Sequence, residues 1–344
     1  MFKIRSKLIL QKIFRHLQDK TNLRLIKYNK RLKNKLNIST KEYKLYNQIE
    51  IEVGLLSDKK YNNSFKIINR DYTEKSFFHI YINNDTTKVN GQYGENIDKN
   101  CKIKVKIDFD KKSLKGLFKK CFYIEEINFI KFNRKDIIDI SEMFYECKNL
   151  IKINFLNFKT DNVKDMSYLF YGCSSLANIN LSEFNTTNVS LMESMFEGCT
   201  GLERLNLNNF NTTNVTNMSQ MFCNCEKIQE LNLSNFNTSN VINMSNMFHK
   251  CIKLIKLNIC NFDIKNNTKI SFMFSQCNKE LKKKIKKQIL NINDDAFKDN
   301  NNKNSINLIP QISEDSESKY YYYFEDDEED YENPDVNFVN FIND

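Results

Sequence analysis

Tryptophan is absent from this 344-residue chain, proline occurs twice, glycine seven times and histidine three times. So few glycines form no phosphate-cradling loop, and no His-Glu-x-x-His run is present to hold a catalytic zinc. His16, His79 and His249 fall in no Ser/His/Asp or Cys/His arrangement. No catalytic residue can be named, and neither an enzyme activity nor a cofactor or metal site is expected. Long apolar runs are also lacking, because no stretch approaches the ~20 apolar residues of a membrane span. The opening MFKIRSKLILQKIF is basic, but Gln11 and Lys12 break its apolar run and no small-residue cleavage site follows. A cytoplasmic chain is therefore expected, whose ten cysteines stay reduced and buried rather than bridged.

Hydrophobic residues make up 40% of the chain, enough for a sizeable core as one long array or two to three smaller units. The net charge of +9 hides an asymmetry: residues 1–50 carry 14 Lys/Arg against 3 Asp/Glu, and residues 311–344 carry 1 against 12. Opposite charges at the two ends suggest interaction segments. No aromatic and basic residues interleave in the way that base stacking requires, so a nucleic-acid partner is not expected.

What is present is a period. Cysteine recurs at 121, 147, 173, 199, 225, 251 and 277, each step being 26 residues. Phenylalanine does the same at 118, 144, 170, 196, 222, 248 and 274, and a second Phe column runs from 132 through 158, 184, 210 and 236 to 262. Apolar pairs such as Leu205/Leu207 and Leu231/Leu233 flank a constant asparagine at 128, 154, 180, 206, 232 and 258. A fixed interval of this size signals a stacked array.

Within one unit, Arg204-Leu-Asn-Leu-Asn alternates as a short strand does, with Leu205 and Leu207 inward. Phe210-Asn-Thr-Thr-Asn-Val then turns the chain, since Asn and Thr bond their own backbone in turns and cap helix starts. Val215, Met218, Phe222 and Cys225 follow at i, i+3, i+7 and i+10, the spacing of one face of a short helix. The pattern predicts an α/β fold: a leucine-rich-repeat solenoid of about seven 26-residue strand–turn–short-helix coils, with an N-terminal helical segment and a small β-rich cap. A straight cysteine column offers no tetrahedral ligand set and reads as a ladder of small buried residues. The Met and Phe columns read as core.

The unit N-M-S-x-M-F-x-x-C-x-x-L-x-x-L-N-L-S-x-F-N-T-x-N-V resembles the BspA-like leucine-rich repeats, which also occur in Mycoplasma-type surface lipoproteins. The resemblance implies a protein-binding solenoid and, for the surface members, an adhesin.

In such arrays partners use the stacked strands. The outward column Lys152, Asn178, Arg204, Glu230 and Lys256 is expected to bind a protein, with Arg204 as anchor because Arg is enriched at hot spots. The asparagine row beside it is expected to link coil to coil through its side-chain amides.

Residues 1–40 read as a basic helical hairpin. LILQKIFRHLQDKTNLRL within it resembles an F-box, which implies that Leu10, Ile13, Phe14 and Leu17 dock a ubiquitin-ligase adaptor and that the solenoid holds a substrate. Residues 41–112 read as a small β-rich module, with strands at 77–82 and 102–109 and a turn near Asn90-Gly91, the second strand covering the open edge of the first coil. The solenoid occupies 113–296, and KELKKKIKKQIL (279–290) caps it as a helix with Leu281, Ile285 and Ile289 on one face. Residues 297–344, Asn-rich and then acidic, have the composition of a disordered tail, which is expected to screen the basic N-terminal half.

Overall fold

The computed structural model of the chain describes residues 47–56, 65–69, 77–83, 93–94, 101–108, 111–289 and 292–299. Among these residues the fold is mostly β, with one α-helix. The expectations for residues 1–40, for the Asn90-Gly91 turn and for the tail beyond residue 299 lie outside them, but Phe297, expected as the first residue of the disordered tail, is buried and stacked on Phe274.

Ile49–Leu55 (β1) alternates buried isoleucine and valine with half-buried glutamate, the period-2 pattern that gives a sheet one inner face. Phe65–Lys66 (β2) pairs with Tyr93–Gly94 (β4) as a separate antiparallel ribbon. Phe78–Ile82 (β3), Ile103–Ile107 (β5), Ile124–Lys131 (β6) and Lys152–Asn154 (β7) join β1 in one open sheet of order β3–β5–β1–β6–β7. The pairing is antiparallel from β3 to β6 and parallel from β6 to β7, where Ile127 faces Ile153 and Asn128 faces Asn154. β3 and β5 form where alternation predicts them. The strand that covers the first repeat is not 102–109, however: β1 lies against β6, and β5 is one place further out. All three strands alternate alike, and alternation says nothing of neighbour order.

Asn178–Ile179 (β8) and Arg204–Leu205 (β9) then pair in parallel at an offset of 26, as do Glu230–Asn232 (β10) and Lys256–Asn258 (β11). A second parallel ladder runs along the turns, from Ser113 through Asp139, Asp165, Leu191, Asn217 and Asn243 to Lys269.

The expected short helices are absent from the described repeats, and tight turns stand in their place. In the second repeat the N–H groups of Glu142, Phe144 and Glu146 donate to Ser167, Leu169 and Tyr171 of the next repeat at 2.9, 3.0 and 2.6 Å. The intervening N–H groups of Met143, Tyr145 and Cys147 donate three residues back. Beyond its first turn a helix commits each N–H to the carbonyl four residues back and leaves none for the neighbour. Two residues per repeat take left-handed φ, for example Glu142 (57°) and Glu146 (54°), Ser194 (52°) and Gly198 (72°), Gln220 (57°) and Asn224 (62°). Each such non-glycine residue costs ~1–2 kcal/mol, which the bonds between repeats offset.

Side chains lock the stack from within. The rings of Phe118, Phe144, Phe170, Phe196, Phe222, Phe248 and Phe274 follow one another at 5.4 to 5.8 Å, within 14° of parallel. The buried hydroxyl of Thr186 donates to the Asn211 carbonyl at 2.9 Å and accepts from the Asn211 N–H at 2.8 Å, and Thr160, Thr212 and Thr238 repeat the arrangement.

The helix, Lys279–Gln288 (α1), starts where Asn278 accepts from the N–H groups of Glu280 and Leu281. Glu280 in its first turn and Lys286 and Lys287 in its last suit the helix dipole. Leu281 and Ile285 are buried and Ile289 packs partly against the core. The Phe column itself ends on another segment: Phe297 stacks on Phe274 at 5.4 Å, while the Asp295 and Ala296 carbonyls accept from Phe272 and Phe274.

Candidate functional site

The five outward residues expected to meet a partner are all exposed and share one strand position. Lys152 stands opposite Glu126, Asn178 opposite Arg204, and Glu230 opposite Lys256. Parallel in-register pairing at ~4.8 Å sets the two members of each of these pairs side by side, whereas β7 and β8, and likewise β9 and β10, fall in different sheets. Two of the charges are already matched along the row: Lys152 pairs with Glu126 and Lys256 with Glu230, each at 2.5 Å. These pairs are exposed and add little stability. Arg204, in the middle of the row, makes no ion pair with a described residue. It borders a hollow of about 610 Å³ lined also by Glu203, Lys227, Gln229, Glu230 and Lys253. Glu126 was legible as a member of the column, since it lies 26 residues before Lys152.

The asparagine row does not link repeats through its amides. The side-chain oxygens of Asn180, Asn206, Asn232 and Asn258 accept from the N–H two residues on, at 3.0, 3.0, 3.2 and 3.3 Å. The strands are so short that the backbone turns immediately after them, and the amide closes that turn. Links between repeats come from other asparagines: Asn188, Asn214 and Asn240 donate to carbonyls 27 residues earlier at 2.6 to 2.7 Å.

At the end of the row, β9 to β11 and α1 enclose a groove of about 520 Å³. Asn206, Asn232 and Asn258 line its strand side, and Leu281, Lys284, Ile285 and Gln288 its helix side. Lys284 and Gln288 did not figure among the expected site residues. Their i, i+4 spacing on a predicted helix was visible, but the side on which that helix packs was not.

The cysteine column supplies no reactive group. Cys173, Cys199 and Cys225 each donate Sγ–H to the carbonyl of the Phe 29 residues earlier at 3.1 Å, and burial pushes the Cys199 thiol up to about 12. Among the described residues Cys260 is the exposed cysteine. One column on the turns runs Tyr145, Tyr171, Glu197, Cys223 and His249. Burial, with Glu193 nearby, raises the Glu197 carboxyl, although Gln220 donates to both its oxygens at 3.0 and 3.1 Å. Burial, aided by Lys250, holds His249 down at about 4, and neither of its ring nitrogens has a hydrogen-bond partner among the described residues. No group of three or more His, Cys, Asp or Glu among the described residues is placed to hold a metal ion, and no described helix is long and apolar enough to cross a membrane. Leu10, Ile13, Phe14 and Leu17 lie outside the described residues.

A family model described as "Mycoplasma protein of unknown function, DUF285" matches residues 112–206 and again 192–307, together more than half of the chain. The match does not reach the F-box-like segment. No curated protein and no solved structure matches.

Proposed function

Because this chain belongs to the DUF285 family, a repeat family of unknown function, we propose its role from its surfaces: a non-catalytic scaffold that binds a protein along the exposed strand row. The repeats are leucine-rich-repeat coils, about seven of them, stacked as a solenoid. The parallel ladder at 26-residue steps and the continuous Phe stack support that assignment. Buried columns then answer only to packing, while exposed strand positions are free to differ from coil to coil.

Arg204 carries the proposal. It is an exposed cation at the centre of the row, and the row's other two cations, Lys152 and Lys256, are ion-paired while it makes no ion pair with a described residue. A guanidinium left unmatched on a rigid strand is a preorganised anchor for a carboxylate.

The test is affinity capture from the source cells, with the full chain, a triple variant Lys152→Glu, Arg204→Glu, Lys256→Glu, and a turn-side control Lys164→Glu, Lys269→Glu. Partners lost with the triple variant and kept with the control are expected. Equal capture by all three chains would refute a strand-row binding face.

A further inference from the structure

We propose that the groove between β9–β11 and α1 binds an acidic peptide segment, laid across the strands with its carboxylates toward Lys284 of α1. The proposal rests on the strand row being the binding face, and it adds the chemistry of what that face takes at this end.

The floor of the groove carries three side-chain amides among apolar residues. Asn206, Asn232 and Asn258 stand in neighbouring repeats, and the backbone N–H groups of Asn208, Ser234 and Cys260 engage their side-chain oxygens at 3.0, 3.2 and 3.3 Å. An amide whose oxygen is tied to its own turn keeps its NH2 for something else, and no described group accepts from these three. Asn232 and Asn258 pair in register at the ~4.8 Å strand spacing, Asn206 precedes them by one repeat, and their NH2 groups suit a ligand rich in acceptors.

The helix wall carries an unmatched positive charge. On α1, Lys284 lines the groove beside Leu281 and Ile285 and forms no ion pair with a described residue, whereas Lys282, Lys283 and Lys286 are matched to Asp299, Glu280 and Asp294. Lys256 borders the strand side. The lining contains one carboxylate, Glu230, which Lys256 already neutralises at 2.5 Å. Donors and cations thus outnumber acceptors, so a basic or donor-rich ligand would leave the amides unpaired, a loss of affinity. Leu281 and Ile285 are buried beneath the groove, and Ile255, exposed on its strand side, suits the aliphatic parts of a peptide. The lining has no aromatic side chain on which a base could stack, which favours peptide over nucleic acid. The volume of about 520 Å³ falls in the range of built ligand sites.

The test is fluorescence anisotropy of the full chain with labelled peptides that alternate Leu with Glu, with Gln or with Lys, and with a single-stranded oligonucleotide as a further probe. The Glu peptide is expected to bind and the Gln and Lys peptides at least tenfold more weakly. Asn232→Asp keeps the oxygen that Ser234 uses but turns the NH2 into an acceptor, so the fold survives while affinity falls about tenfold, as it does for Lys284→Glu. Lys283→Gln, outside the lining, leaves affinity unchanged. Equal binding of all three peptides, indifference to Asn232→Asp and Lys284→Glu, or preferential oligonucleotide binding lost in those variants would overturn the proposal. If the peptide fails while captured partners still depend on Lys152, Arg204 and Lys256, the groove chemistry alone is wrong. If capture is indifferent to those residues, the binding face is wrong and this proposal falls with it.

Discussion

The thiol of Cys199 donates to the backbone carbonyl of Phe170, 29 residues earlier, at 3.1 Å. The same carbonyl accepts the Cys173 N–H at 3.1 Å, so one oxygen joins a turn to the repeat that follows it. The cysteine column is therefore a set of inter-repeat hydrogen bonds as well as small packing units.

Two outcomes follow from that contact. Cys199→Ala removes a buried sulfur and its bond and should lower stability by about 1–2 kcal/mol in urea unfolding. Brief alkylation of the native chain, read by mass spectrometry, should label Cys260 and spare the nine buried cysteines. Rapid labelling along the buried column would contradict the packing described.

Thr186→Val is nearly isosteric, but it strips the Asn211 N–H and carbonyl of a shared partner. A loss of about 1–3 kcal/mol is expected in chemical denaturation. A neutral result would show that water replaces the hydroxyl at no cost.

Phe297 closes the Phe column by stacking on Phe274. In an array held by nearest neighbours, damage at an end frays the end first. Phe297→Ala should speed hydrogen exchange at 269–277 and leave 165–173 protected. Phe196→Ala, in the middle, should cost about 3–5 kcal/mol and loosen both sides.

His249 is buried, and its proton affinity is depressed from the usual 6.5 to about 4. The unfolded chain therefore binds a proton at a pH where the folded chain does not. The stability of this neutral imidazole is complete above pH 6.5 and is lost as the pH falls toward 4, by an amount on the order of 2–3 kcal/mol. Lys250, which opposes protonation, and Asp299, which favours it, are the charges that act on the ring. The stability difference between the native chain and His249→Leu should change over that window. A constant difference would mean that His249 titrates normally.

Much of this was legible in the sequence. The period, the buried Phe, Met and Cys columns and the outward placement of Arg204 follow from 26-residue spacing and strand alternation. Turns and helices could not be told apart, because Val215, Met218 and Phe222 fit one helical face as well as they fit turns that give alternate N–H groups to a neighbour. Nor could the row of Asn232 reveal where its amide points, since that depends on how soon the chain turns after a three-residue strand. The groove needed the packing side of α1, which amphipathic spacing leaves open.

The most direct test of the binding face is hydrogen exchange of the full chain with and without a captured partner. Slowed exchange is predicted at 152–154, 178–180, 204–206, 230–232 and 256–258, with the turns at 139–146, 165–172 and 191–198 unchanged. Protection confined to the turns, with the strand row unaltered, would contradict it.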